Sequence, residues 1–103
     1  MKKQSANPNG HKQPVLVTTQ HRGVFFGYLD GDASKERTRL TESRNVVYWS
    51  ADVKGFMGLA ASGPTKGCRI GPAVPRVTLF DVTSVVECSE DAAKRFADAP
   101  WSS

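Results

Sequence analysis

Several common signatures are scarce or absent in these 103 residues. Only two cysteines, Cys68 and Cys88, and two histidines, His11 and His21, are present. Their spacing fits no zinc pattern, which excludes a metal site of that kind. Two lone thiols in a cytosolic chain are expected to stay reduced. No run of roughly 18 apolar residues occurs, so no membrane-spanning helix is expected. The opening residues lack the apolar core of a leader peptide. The expected setting is therefore soluble and cytoplasmic, with no membrane partner.

Acidic residues are missing from residues 1–13, where Lys2, Lys3 and Lys12 supply three of the net four positive charges. The remainder holds 11 basic and 10 acidic side chains, a net charge of +1. The basic excess thus belongs to a tail rather than to a recognition surface. Apolar residues are missing there too, apart from Met1 and Ala6. Such a segment buries too little surface to offset its ordering entropy, so 1–13 is expected to be a flexible basic tail. Residues 14–103 are left as a single β-rich domain with a thin core.

β-branched and aromatic runs mark the strands. Val15–Thr19 and Val24–Leu29 form a hairpin across the turn Gln20–Gly23. Alternation puts Phe26 and Tyr28 on one face, and Phe25, Gly27 and Leu29 on the other. Arg37–Thr41 reads as a third strand, with Thr38 and Leu40 inward and both arginines outward. The polar break Glu42–Asn45 separates it from a fourth strand, Val46–Trp49. Val77–Val86 is a fifth, bent near Asp81. Ser89 caps a helix over 89–98, with Glu90 and Asp91 at its positive end and Pro100 as its stop. Its packing face is Ala92, Ala93, Phe96 and Ala97, and Trp101 folds back onto the body. Short turns between successive strands favour a small SH3-like or Sm-like barrel, or a curled antiparallel sheet, with one C-terminal helix. An α+β roll is the alternative.

Five of the nine glycines fall between Arg44 and Pro72. Such density argues against a helix and against one continuous strand. The segment reads as a structured loop or two short strands. It contains Gly58 and Gly63 at the spacing that opens a P-loop. Pro64 and Thr65 then stand where Lys and Ser/Thr are required, which excludes nucleotide hydrolysis by that route. A phosphate nest built from its amides stays open. His21 with Cys68 lacks an orienting group for a catalytic dyad, and Asp30 with Asp32 reads as a solvated turn. No catalytic motif and no cofactor site is legible, so the expectation is a protein that is not an enzyme.

Arg44, Tyr48, Trp49, Lys66 and Arg69 are the candidate ligand-binding residues. Aromatic faces and guanidinium forks suit a nucleotide, an unpaired base or a partner protein. The structural alternative puts Trp49 in the core, Tyr48 half-exposed, and Arg44 against Glu42 or a helix acid.

The strings HRGVFFGYLDGD, RTRLTESRNVVYWS and KGFMGLAASGPTKGCRIGPAVP, with the closing EDAAKRF, resemble a family of small uncharacterised phage and prophage proteins. The likeness spans residues 14–101. It is carried by His21, Arg22, Gly23, Phe25, Gly27, Arg44, Tyr48, Trp49, Gly55, Leu59, Gly63, Pro64, Arg69, Pro72 and Trp101. It implies a phage-encoded protein in a bacterial host cytoplasm and carries over no activity. VLVTT and GVFFGYLDGD are also similar to the first motif of Sm-like proteins, which implies ring oligomers and RNA binding. The resulting expectation is a non-enzymatic phage accessory protein. It self-associates as a homo-oligomer and binds a host or phage partner or a small anionic ligand. Alternatives are a nucleotide sponge that sequesters a bacterial immune signal and an Sm-like nucleic-acid binder.

Overall fold

A computed structural model describes residues 13–20 and 23–100. Residues 1–12 of the expected tail, the turn residues His21 and Arg22, and residues 101–103, Trp101 included, lie outside the described residues. Five strands form one antiparallel sheet: β1 (Pro14–Thr19), β2 (Val24–Leu29), β3 (Arg37–Tyr48), β4 (Arg69–Phe80) and β5 (Val82–Glu87). Their spatial order is β4-β3-β2-β1-β5. Two helices follow the chain order as α1 (Gly55–Ser62), between β3 and β4, and α2 (Glu90–Asp98), after β5. Among the described residues no helix is long and apolar enough to cross a membrane.

The sheet curls because of one residue. β4 and β5 are its two edges, yet only Asp81 joins Phe80 to Val82. The edges of a flat five-stranded sheet stand about 19 Å apart. One intervening residue spans at most about 7 Å. The edges therefore converge at this corner, where Asp81 turns the chain in the left-handed region at φ 56°. Leu79 of β4 and Val82 of β5 consequently share one buried cluster with Val15, Val17 and Leu40. The two edges form no ladder with one another, so the sheet is curled and open rather than a closed barrel. The fifth strand expected over 77–86 is in fact the ends of two strands on opposite sides of the sheet.

The third and fourth strands expected on either side of 42–45 are one continuous strand, β3. Its break is a bulge. Phe26 stands opposite Arg44, whereas Tyr28 stands opposite Thr41, so β3 spends one residue more than β2 over this stretch. Glu42 sits there at φ 49°. An extra residue reverses the side-chain phase of the strand. Thr38 and Leu40 consequently face the second cluster, while Arg44 and Val46 face the helices. The inward reading of Thr38 and Leu40 agrees with their complete burial.

The larger core lies between the sheet and the helices. Leu16, Val24, Phe26, Val46 and Ile70 meet Leu59 and Ala60 of α1, and Ala92, Ala93 and Phe96 of α2. Phe26 stacks on Phe96, with centroids 4.4 Å apart and planes 10° from parallel. Tyr28 meets the edge of Phe26 at 5.5 Å and 76°. Thus β2 divides its residues as its alternation indicates. Ser89 caps α2, accepting from the Ala92 amide at 3.0 Å, and donates to the Ala61 carbonyl at 2.7 Å. That second bond joins the start of α2 to α1. Ala97, expected on the packing face, is exposed, because the Ala92–Ala93–Phe96 stripe already covers the contact.

Helix α1 was not expected, and its glycines explain why. A Cβ on Gly58 would sit 1.9 Å from the Val53 carbonyl oxygen. Gly58 is therefore in a helix because the chain entering that helix passes against it, not because the segment turns there. Gly63, at φ 84°, is the C-cap, and its amide donates to the Leu59 carbonyl at 2.8 Å. Helix propensity alone makes Gly58→Ala stabilising by about 1 kcal/mol. The contact with Val53 reverses that sign. Urea denaturation of Gly58→Ala is expected to show a loss of about 2 kcal/mol or more, and a gain would contradict this packing.

Candidate functional site

β3 ends at Tyr48 and β4 begins at Arg69, and these two residues are cross-strand partners. Residues 49–68 are thus an excursion whose ends meet. It runs through Trp49 and Ser50, a short 3-10 turn Ala51–Val53, Lys54 in the left-handed region at φ 68°, α1, and the turn Pro64–Cys68. A polar cluster closes its base. Asp52 accepts from the Ser50 hydroxyl and from Thr65 Oγ1, the latter at 3.0 Å. The two hydroxyls lie 3.3 Å apart. Cys68 Sγ lies 3.8 Å from Thr65 Oγ1 and 4.0 Å from Ser50 Oγ. The Ser50 bond, then the Thr65 bond, hold the Asp52 carboxyl below its ordinary pKa. These bonds favour its charged form. The stability they add is present above the ordinary carboxylate range and is lost as pH falls through the lowered value.

Four of the five candidate residues are gathered at this end of the molecule. Tyr48 and Arg69 are exposed and paired across the ladder. Lys66 is exposed in the turn that leads into Arg69, and neither cationic side chain has a polar partner among the described residues. Trp49 is half-buried against the larger core, so its ring serves packing first.

Arg44 is the exception. It is only 6% exposed. Its Nε donates to the Gly71 carbonyl at 2.7 Å, and Nη1 donates to the carbonyls of Phe96 at 2.7 Å and Ala99 at 2.6 Å. It pairs neither with Glu42 nor with a helix acid. The phase reversal at Glu42 aims it at the last turn of α2, where carbonyls lack intrahelical partners and the dipole favours a cation. Burial lowers its pKa below that of a solvated guanidinium, as loss of hydration does for a cation. Arginine remains charged at neutral pH nonetheless. With its donors aimed at three backbone oxygens, Arg44 is a clamp inside the fold rather than part of a ligand surface.

The amides of Gly58–Gly63, which stayed open as a phosphate nest, are those of α1, and the last is bonded to Leu59. His21 is outside the described residues, so its relation to Cys68 is not placed. Among the described residues no three histidine, cysteine or acidic side chains gather as a metal site. What sequence reading missed is the Ser50–Asp52–Thr65 cluster. It joins residues on both sides of α1, and without that helix nothing brings them together.

The fold and this end of the molecule define a small, mainly β domain with an open curled sheet and two covering helices. The profile of the domain of unknown function DUF6948 matches residues 12–96, and the chain belongs to that family. No curated protein and no solved structure matches it.

The two thiols differ in a measurable way. Cys88 is buried, and burial pushes its pKa from 9.0 up to about 12. Its neutral form is favoured by folding. That contribution is complete below pH 9.0 and is lost as pH rises from there toward about 12. Cys68 is half-exposed. Alkylation of the native protein at pH 8, followed by mass spectrometry, is expected to modify Cys68 well before Cys88. Equal rates would contradict the burial of Cys88.

Proposed function

We propose that this protein is a non-enzymatic accessory protein that self-associates and recognises an anionic group on a partner or small ligand. Its recognition surface is the Tyr48–Lys66–Arg69 end of the sheet. One observation carries this reading. An exposed aromatic ring and an exposed guanidinium are fixed side by side on a ladder, with a second exposed cation, without a polar partner among the described residues, in the adjoining turn. A ring offers a face for stacking, and a guanidinium offers a planar fork for phosphate or carboxylate. Their positions are set by backbone pairing rather than by a loop, so little ordering remains to be done on binding. The resemblance to small phage and prophage proteins supports a phage-encoded role in a bacterial cytoplasm. The two sheet edges, unpaired among the described residues, together with exposed Val47, Val74 and Phe80, support self-association.

A nucleotide combines a base to stack and phosphates to pair, so mono-, di- and cyclic nucleotides are the first small ligands to screen. Binding to the folded state raises the melting temperature by linkage. Arg69→Ala and Tyr48→Ala are expected to change folding stability by less than about 0.5 kcal/mol, because both side chains are exposed. Loss of one charge-assisted contact, about 1.5–3 kcal/mol, weakens binding roughly ten- to a hundredfold. If nucleotides give no shift, the anion belongs to a larger partner, and the same two variants must then weaken capture of that partner. Binding to single-stranded RNA that falls steeply with salt and survives removal of residues 1–13 would turn the reading toward nucleic acid. Undiminished binding by Arg69→Ala would overturn the assignment of this surface.

A further inference from the structure

The two edges of the sheet are not equivalent. β4 contains Pro72 and Pro75, which remove two N–H groups from its ladder. β5 contains neither proline nor glycine, and among the described residues its outer side pairs with no strand. The ladder shows which of its groups face outward. Cys88 donates to the Pro14 carbonyl at 2.9 Å, and Val86 and Ser84 stand opposite Leu16 and Thr18. Bonded and non-bonded pairs alternate along an antiparallel ladder. The backbone groups of Ser84 and Val86 therefore point to β1, and those of Val85 and Glu87 point away from it. The other side of β1 has the complementary phase: Leu29 donates to the Gln13 carbonyl at 2.9 Å, so Val15 and Val17 serve β2.

Beside this edge lies an open cleft of about 260 Å³, with Ser34, Lys35, Thr83 and Val85 in its lining. The Lys35 carbonyl accepts from the Val82 amide at 2.8 Å, which holds the loop against the strand. The charged groups of Lys35 and Glu87 have no polar partner among the described residues. They stand at opposite ends of the same edge.

We infer that self-association is an antiparallel pairing of β5 with β5 of a second copy about a twofold axis, closed by two reciprocal Glu87–Lys35 ion pairs. This rests on the self-association proposed above and names its surface. A twofold interface must be self-complementary. Antiparallel alignment sets Glu87 opposite either Val85 or Thr83 of the second copy, depending on register. Both residues line the cleft with Lys35, so either register delivers the carboxylate to the ammonium. Residues directly opposite share a face of the sheet. Glu87 lies two residues from Val85 and shares its face of the sheet, where Val85 packs on the second cluster and lines the cleft with Lys35. Two short strands bury little surface, so the dimer is weak.

Sedimentation velocity on the full chain from about 1 μM to about 300 μM spans the range in which small interfaces dissociate. The wild type is expected to pass from monomer to dimer. Glu87→Lys and Lys35→Glu should each raise the midpoint concentration about tenfold or more, and the double variant should restore it. Amide exchange at Val85 and Glu87 should slow as concentration rises. A wild type that stays monomeric throughout would overturn both this inference and the self-association beneath it. An assembly indifferent to both charge reversals, unprotected at Val85 and Glu87, or larger than a dimer would overturn the β5 pairing alone.

Discussion

The buried guanidinium of Arg44 is the constraint on which the rest of the structure depends. One planar group bonds to a carbonyl of β4 and to two carbonyls at the end of α2, from a position on β3. A buried cation is costly unless its donors are satisfied. Here the opposing charge is not a carboxylate but the carbonyl end of a helix and a strand oxygen. Truncating such a group exposes the converse cost, because three carbonyls would lose their donors in a dry interior. Helix α2 is thereby fixed at both ends, by Ser89 to α1 and by Arg44 to the sheet, with the Phe26–Phe96 stack between.

Arg44 reaches that position only because β3 changes phase at Glu42. Without the extra residue, Arg44 would share a face with Leu40 and its charge would enter the second cluster. The bulge thus divides one strand between two cores. Farther along β3, Tyr48 meets Arg69 and the excursion through α1 begins and ends. The helix clamp follows from the register change at Glu42 against β2, while the pairing of Tyr48 with Arg69 lies beyond two further register shifts of β3 against β4.

Local chemistry made much of the fold legible. Alternation in VFFGYL identified both faces of β2, and Thr38 and Leu40 were assigned inward correctly. Ser89 with Glu90 and Asp91 marked the start of α2, because capping and dipole effects act within one turn. The remainder depended on contacts between distant residues. Gly58 resembles a helix breaker until the Val53 carbonyl is seen where its Cβ would be. A bend near Asp81 was legible, but not that it parts two strands at opposite edges, since the stretch on either side of it is uniformly strand-forming. Arg44 is recognised by backbone oxygens, which every sequence supplies, so no pattern distinguished it from Arg69. Tyr48, Lys66 and Arg69 were legible as a group because the two strand residues flank one excursion and Lys66 lies within it.

Arg44 holds the fold together through three backbone carbonyls. Hydrogen exchange in the Arg44→Lys variant tests it most directly. Lysine keeps the charge but lacks the planar fork that serves three carbonyls at once. Amide protection in α2 is expected to fall first and furthest, by a hundredfold or so for the roughly 3 kcal/mol such a loss entails, while β1 and β2 keep most of theirs. A variant with wild-type protection throughout α2, and a defect only in binding, would contradict it.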